Sequence, residues 1–99
     1  MKPINEGEQR VKSKIRLPRQ YKVVMFNDDY TTMEFVTSVL MSIFSKSEVE
    51  AQKIMLDVHE KGQGIAGIYS YDMAMSKAGT AMSMAKSEGF PFKLSVEEV

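Results

Sequence analysis

Two short spacings constrain this chain more than any other feature: Thr31 stands three residues before Glu34, and Ser47 stands three residues before Glu50. A hydroxyl followed at that interval by a carboxylate lets each side chain satisfy a backbone amide that the first turn of a helix leaves open. Each pair therefore predicts a helix start. After the first, Val36, Val39, Leu40, Ile43 and Phe44 keep helical spacing until Ser45 and Lys46 interrupt it. After the second, Ala51, Ile54, Met55 and Val58 make another apolar stripe, which Gly62 ends. Two helices in direct succession with a tight joint restrict what can surround them.

The flanks supply a small sheet. Residues 21–26, Tyr-Lys-Val-Val-Met-Phe, are β-branched and aromatic and are stopped by the turn formers Asn27, Asp28 and Asp29, so they predict a strand apolar on both faces. Residues 64–69 predict a second strand, with Gly64 and Gly67 suited to close backbone approach. A third helix should run from about residue 71 to residue 88, with Asp72 near its positive end, Gly89 at its C-cap and Pro91 beyond. Its stripe of Ala74, Ala78, Ala81, Met82 and Ala85 is mostly small and should let it lie close to the sheet. Phe92, Leu94 and Val96 then alternate with Lys93, Ser95 and Glu97, the period of a half-exposed strand. The order is βααβαβ, an α+β fold with three helices packed on a three-stranded antiparallel sheet.

At 99 residues and 43% apolar content the chain suits one domain with a modest core, too small for a deep active site. With no cysteine, thiolate chemistry and disulfides are excluded, and zinc would rely on His59 and carboxylates. No apolar stretch suits a membrane span and the start lacks a signal-peptide core, so a cytoplasmic protein is expected. The net charge of zero hides an asymmetry: residues 1–22 carry seven basic and two acidic side chains, and residues 23–99 carry six and eleven. Residues 1–19 read as a flexible, disordered basic extension and residues 20–99 as the folded domain. The extension lacks aromatic platforms for stacking bases, and no nucleic-acid partner is expected from it.

Chemistry concentrates in the run Asn27-Asp28-Asp29-Tyr30-Thr31, where three acceptor side chains precede a helix, with the only histidine, His59, at the end of the next helix. Singly, such residues make turns and helix starts. Together they could hold a small cation beside an apolar pocket, which points to recognition more than to turnover. A small metal-dependent hydrolase built on Asp28, Asp29 and His59 is one alternative, but no second histidine, cysteine or paired nucleophile completes a known constellation. A nucleic-acid or ribosome-associated module using the basic tail is another.

The block of residues 21–36, Met55-Leu56 with Val58-His59, and Gly67-Ile68-Tyr69 closely resemble ClpS, the bacterial adaptor family of the N-end rule. The resemblance covers residues 21 to about 97. It implies an adaptor without enzymatic activity, metal or cofactor, which binds proteins whose first residue is Phe, Tyr, Trp or Leu. Such N-degron proteins would be handed to the N-terminal domain of the ClpA unfoldase of the ClpAP protease. By this resemblance Asn27 and His59 contact the substrate's α-amino group, with Asp28 or Asp29 as charge partner. Thr31, Met33, Val36, Met55, Val58 and Phe92 line the pocket for the first side chain, with Met33 as the rim residue that rejects Ile and Val. Lys77 matches the family residue that docks on the unfoldase, and a monomer is expected.

A free chain start suits such a group, since an α-amino group titrates near ~8 and at neutral pH is mostly a cation with three donors. This chain also departs from the family pattern. Thr32 replaces a usual Pro at what should be the first helical residue, Met75 stands where relatives carry an acid, and Phe90-Pro91-Phe92 replaces a His-Pro-Leu-like segment. The larger Phe92 is expected to narrow the pocket.

Overall fold

The computed structural model describes residues 18–99. The flexible extension expected over residues 1–19 falls almost wholly outside that range. The elements are β1 (Tyr21–Phe26), α1 (Met33–Ser42), α2 (Glu48–Lys61), β2 (Gln63–Tyr69), α3 (Tyr71–Ser87) and β3 (Lys93–Glu98), in the expected order. β1 lies at the centre of the sheet, antiparallel to β2 on one side and to β3 on the other. A central strand meets neighbours on both edges, and the apolar Val23, Val24 and Met25 of β1 are all buried.

Val23 and Met25 join Phe35, Val36, Val39, Leu40, Phe44, Ala66, Phe92 and Leu94 in one core beneath the helices. α3 contributes Ala74, Ala78, Ala81 and Ala85, all buried. Methyl side chains there keep α3 close to the strands, as the sequence pattern implied.

The second helix start is built as its spacing predicts. Glu50 N–H donates to Ser47 Oγ at 3.2 Å while Ser47 N–H donates to Glu50 Oε1 at 3.1 Å. These bonds hold the Glu50 carboxyl below its ordinary range, with the Ser47 backbone bond the largest cause. The first start differs. α1 is capped by Thr32, whose Oγ1 accepts from Phe35 N–H at 3.1 Å, so the cap is one residue later than the Thr31–Glu34 spacing predicts. Thr31 is instead drawn back toward Asp28, a competitor for its hydroxyl that the spacing rule does not weigh. Thr32 is accordingly the cap and not the first helical residue.

At the joint between α1 and α2 the chain turns through Ser45 at φ 56, the left-handed region, and Lys46 N–H donates to Leu40 O at 3.0 Å. α2 then ends at Gly62, φ 90, whose N–H donates to Val58 O. That conformation suits glycine, and it returns the chain at once into β2.

Candidate functional site

Gly62 positions the site. Its carbonyl accepts from Asn27 N–H at 2.9 Å, so the residue that follows β1 is tied to the residue that ends α2. The neighbouring pair Phe26 and Gln63 continues the same antiparallel register. Asn27 therefore faces the last turn of α2, which carries His59. Gly64 brings the helix in closer still: a Cβ there would lie 3.0 Å from Val58 Cγ2 and 3.2 Å from Ile54 O. Without that side chain α2 settles against β2, with Val58 buried beside Gly64.

A recess of about 400 Å³ results, lined by Asn27, Asp28, Asp29, Thr31, Met33, Val36, Met55, Val58 and His59, together with Tyr30 and Thr32. Nine residues singled out from the sequence thus meet in one place. Val36 and Val58 are buried, Met55 is half-buried, and Met33 stands 46% exposed at the edge. Hydrocarbon therefore forms one side of the recess, and the exposed Asn27, Asp29 and His59 form the other.

The two aspartates have different surroundings. Asp28 Oδ1 accepts from Tyr30 N–H at 2.8 Å and Thr31 N–H at 2.7 Å, and its Oδ2 accepts from Thr31 Oγ1 at 2.7 Å. Partial burial alone would raise its carboxyl, but the hydrogen bonds from Thr31 and Tyr30 outweigh that and hold it below the usual carboxylate range. Asp28 is the clasp of the loop. No side-chain hydrogen bond among the described residues engages Asn27, Asp29 or His59, which leaves three acceptor groups open at the recess.

Two sequence-predicted residues lie elsewhere. Phe92 does not line the recess; it is buried in the core, its ring centroid 6.0 Å from that of Phe35 in an edge-to-face pair. That position, one residue before β3 begins at Lys93, sets its bulk against Phe35 in the core and not among the residues that line the recess, where it was expected to narrow the pocket. Lys77 is half-buried on α3, where its Nζ donates to Ile43 O at 2.8 Å and sits 5.2 Å from the centroid of the Tyr69 ring. Ile43 is the C-cap of α1, and α1 has no basic residue in its last turn. Lys77 supplies that positive charge from another helix. The lining residues missed from the sequence, Tyr30 and Thr32, are contiguous with the recognised run, and their contiguity was the available signal.

Among the described residues, no three His, Cys, Asp or Glu side chains gather closely enough to hold a metal ion, and no helix is long and apolar enough to cross a membrane.

Comparison with known proteins gives a consistent picture. The family model described as "ATP-dependent Clp protease adaptor protein ClpS" matches residues 16–95. The ClpS adapter protein of Desulfatibacillum aliphaticivorans is 52% identical over 84 residues, covering 85% of this chain and 81% of that protein. That of Syntrophus aciditrophicus is 48% identical over 86 residues, covering 87% and 80%. Among solved structures, Agrobacterium tumefaciens ClpS2 bound to L-phenylalaninamide is similar with a TM-score of 0.80 and 37% identity, covering 84% of this chain and 100% of that one.

Proposed function

This chain belongs to the ClpS family of ATP-dependent Clp protease adaptors, and from that premise we propose that its recess captures proteins by a free N-terminal Phe, Tyr, Trp or Leu for delivery to the ClpA unfoldase. The observation that carries this reading is the pairing of three open acceptors, Asn27, Asp29 and His59, with a hydrocarbon wall in one recess. The α-amino cation would donate to Asn27 Oδ1 and to the unprotonated nitrogen of His59, while Asp29 supplies the opposite charge. Asp29 is preferred over Asp28 because the oxygens of Asp28 are already engaged by Thr31 and Tyr30. The first side chain would lie against Val36, Met55 and Val58 under Met33, whose flexible thioether can close over a planar ring but would meet a β-branched one. The relative bound to L-phenylalaninamide carries a ligand with both required parts, an aromatic side chain and a free α-amino group.

Magnitudes explain why both parts are needed. Burying a Phe or Leu side chain contributes roughly 1.5 to 3 kcal/mol, and two charge-assisted hydrogen bonds contribute roughly 1.5 to 3 kcal/mol each. The gross sum of about 5 to 9 kcal/mol brackets the ~8 of a micromolar complex, before the cost of association. Neither half alone suffices. An internal Phe lacks the ammonium, and an N-terminal Ser lacks the apolar side chain.

In this reading the protein acts as a cytosolic monomer with two parts. Residues 20–99 capture the substrate, and the basic residues 1–19 assist handover to the unfoldase. Docking on the unfoldase would use the α3 surface around Lys77, whose ammonium is held by Ile43 O and so acts there mainly by fixing α3 against α1. A fluorescence titration with peptides identical except at their first residue tests the capture step. Phe, Tyr, Trp and Leu should bind, and Ser, Ile and Val should not; equal affinity across the series would refute the reading. Deletion of residues 1–19 should leave those affinities unchanged while slowing degradation by the unfoldase and its protease.

A further inference from the structure

On the far side of Met33 and Met55 from the recess, α1 and α2 leave a second, shallower groove of about 370 Å³, floored by Met33, Thr37, Met41, Gln52 and Met55. Met33, Thr37 and Met41 are spaced four apart and form one ridge along α1. Met33 and Met41 are 46% and 42% exposed, so this ridge presents thioethers to water where a surface helix ordinarily presents polar side chains. Met33 and Met55 line both depressions, which makes the groove a continuation of the recess.

We propose that this groove seats the third side chain of the captured protein, giving the adaptor a second, apolar preference two residues beyond the chain start. The proposal rests on the reading of the recess given above. In an extended chain, side chains alternate in direction, and the first and third share a face about 6.6 to 7 Å apart. Along α1, Thr37 lies about 6 Å and Met41 about 12 Å beyond Met33. A chain that starts under Met33 and leaves the recess along α1 lays its third side chain just beyond Thr37 on the way to Met41, while its second points away. Unbranched thioethers adapt to several shapes, so the preference is for apolar bulk and not for one residue. Glu34 borders the same groove and disfavours an acidic third residue. A second copy of this chain is a poorer occupant, because so small a lining falls far short of the roughly 20 to 30 residues per side of a stable interface.

The test uses the full chain and three dye-labelled peptides with free amino ends that begin Phe-Ser-Leu, Phe-Ser-Ser and Phe-Leu-Ser and are otherwise identical. Phe-Ser-Leu should bind about fivefold more tightly than Phe-Ser-Ser, with Phe-Leu-Ser close to the latter. Met41→Asn, and Met41→Lys as a second variant should the first fold poorly, should abolish that advantage and leave Phe-Ser-Ser affinity unchanged. Equal binding of all three peptides, an advantage that survives at Met41, or a preference for Phe-Leu-Ser overturns the groove assignment alone. Failure of every Phe-first peptide to bind overturns the recess reading and the groove with it. A change in the sedimentation of the ligand-free protein on Met41→Asn would mean that a second copy covers the groove, and would likewise overturn the proposal.

Discussion

The rim of the recess and the joint between α1 and α2 both place polar groups beside apolar ones, yet they treat those groups in opposite ways. At the joint, the Lys77 ammonium is bound to the carbonyl that ends α1 and lies over the Tyr69 ring, while Tyr69 packs on Phe44 with ring centroids 6.2 Å apart. Burial there also pushes the Tyr69 phenol up. At the rim, Asn27, Asp29 and His59 face a hydrocarbon wall without a side-chain hydrogen bond among the described residues. A polar group that is engaged internally holds the fold together; one left open beside an apolar recess is available to a ligand.

That contrast can be broken by substitution, and the largest effect belongs to the rim. Asp29→Ala and His59→Ala should each weaken binding of a Phe-first peptide by about 1.5 to 3 kcal/mol, ten- to hundredfold, since each removes one charge-assisted interaction. Neither should move the melting temperature by more than a degree or two. A parallel loss of stability would place these residues with the structural group. Gly64→Ala blurs the two regions on purpose. The new Cβ meets Val58 and the Ile54 carbonyl, so α2 must move, and about 1 to 3 kcal/mol should be lost in urea unfolding together with peptide affinity. Unaltered affinity would mean that the recess tolerates a displaced α2.

Lys77→Ala should give the reverse of the rim variants. It removes a hydrogen bond from a cation to a helix-terminal carbonyl, worth about 1 to 2 kcal/mol of stability, and leaves peptide affinity within twofold. A strong effect on peptide binding would erase the distinction between the regions.

Acid provides the smallest and most graded test. Because the folded-state carboxyl of Asp28 titrates below its ordinary value, it stabilises the loop at pH values above that ordinary value, and this contribution is lost only as pH falls through the lowered one. The loop should therefore remain intact through mildly acidic solution. Amide hydrogen exchange at Tyr30 and Thr31 across an acid titration checks this; exchange that already rises in mildly acidic solution would contradict it.

How much of this was legible in the sequence depends on the range over which each decision is made. Element order followed from local signals: the Ser47–Glu50 pair, the alanine stripe of α3 and the glycine at 62 each act within a few residues. The choice of Thr32 over Thr31 as cap was not legible, because two adjacent hydroxyls satisfy nearly the same rule and Asp28 decides between them. The same loop separates Asp28 from Asp29, which sequence left as equals. Phe92 was assigned to the recess by analogy, whereas its ring packs against that of Phe35, a residue distant in the chain. Lys77 finds its acceptor 34 residues away in the chain, an interaction that no local pattern encodes.

Recognition of a free, charged chain start beside hydrocarbon is the central claim, and one titration addresses it directly. A Phe-first peptide and its N-acetylated twin would be measured against the full chain by fluorescence anisotropy. Acetylation removes the cation and leaves the ring, so both charge-assisted hydrogen bonds to the rim disappear and affinity should fall at least about a hundredfold. Equal affinity for the two peptides would show that the acceptors at the rim do not read the α-amino group.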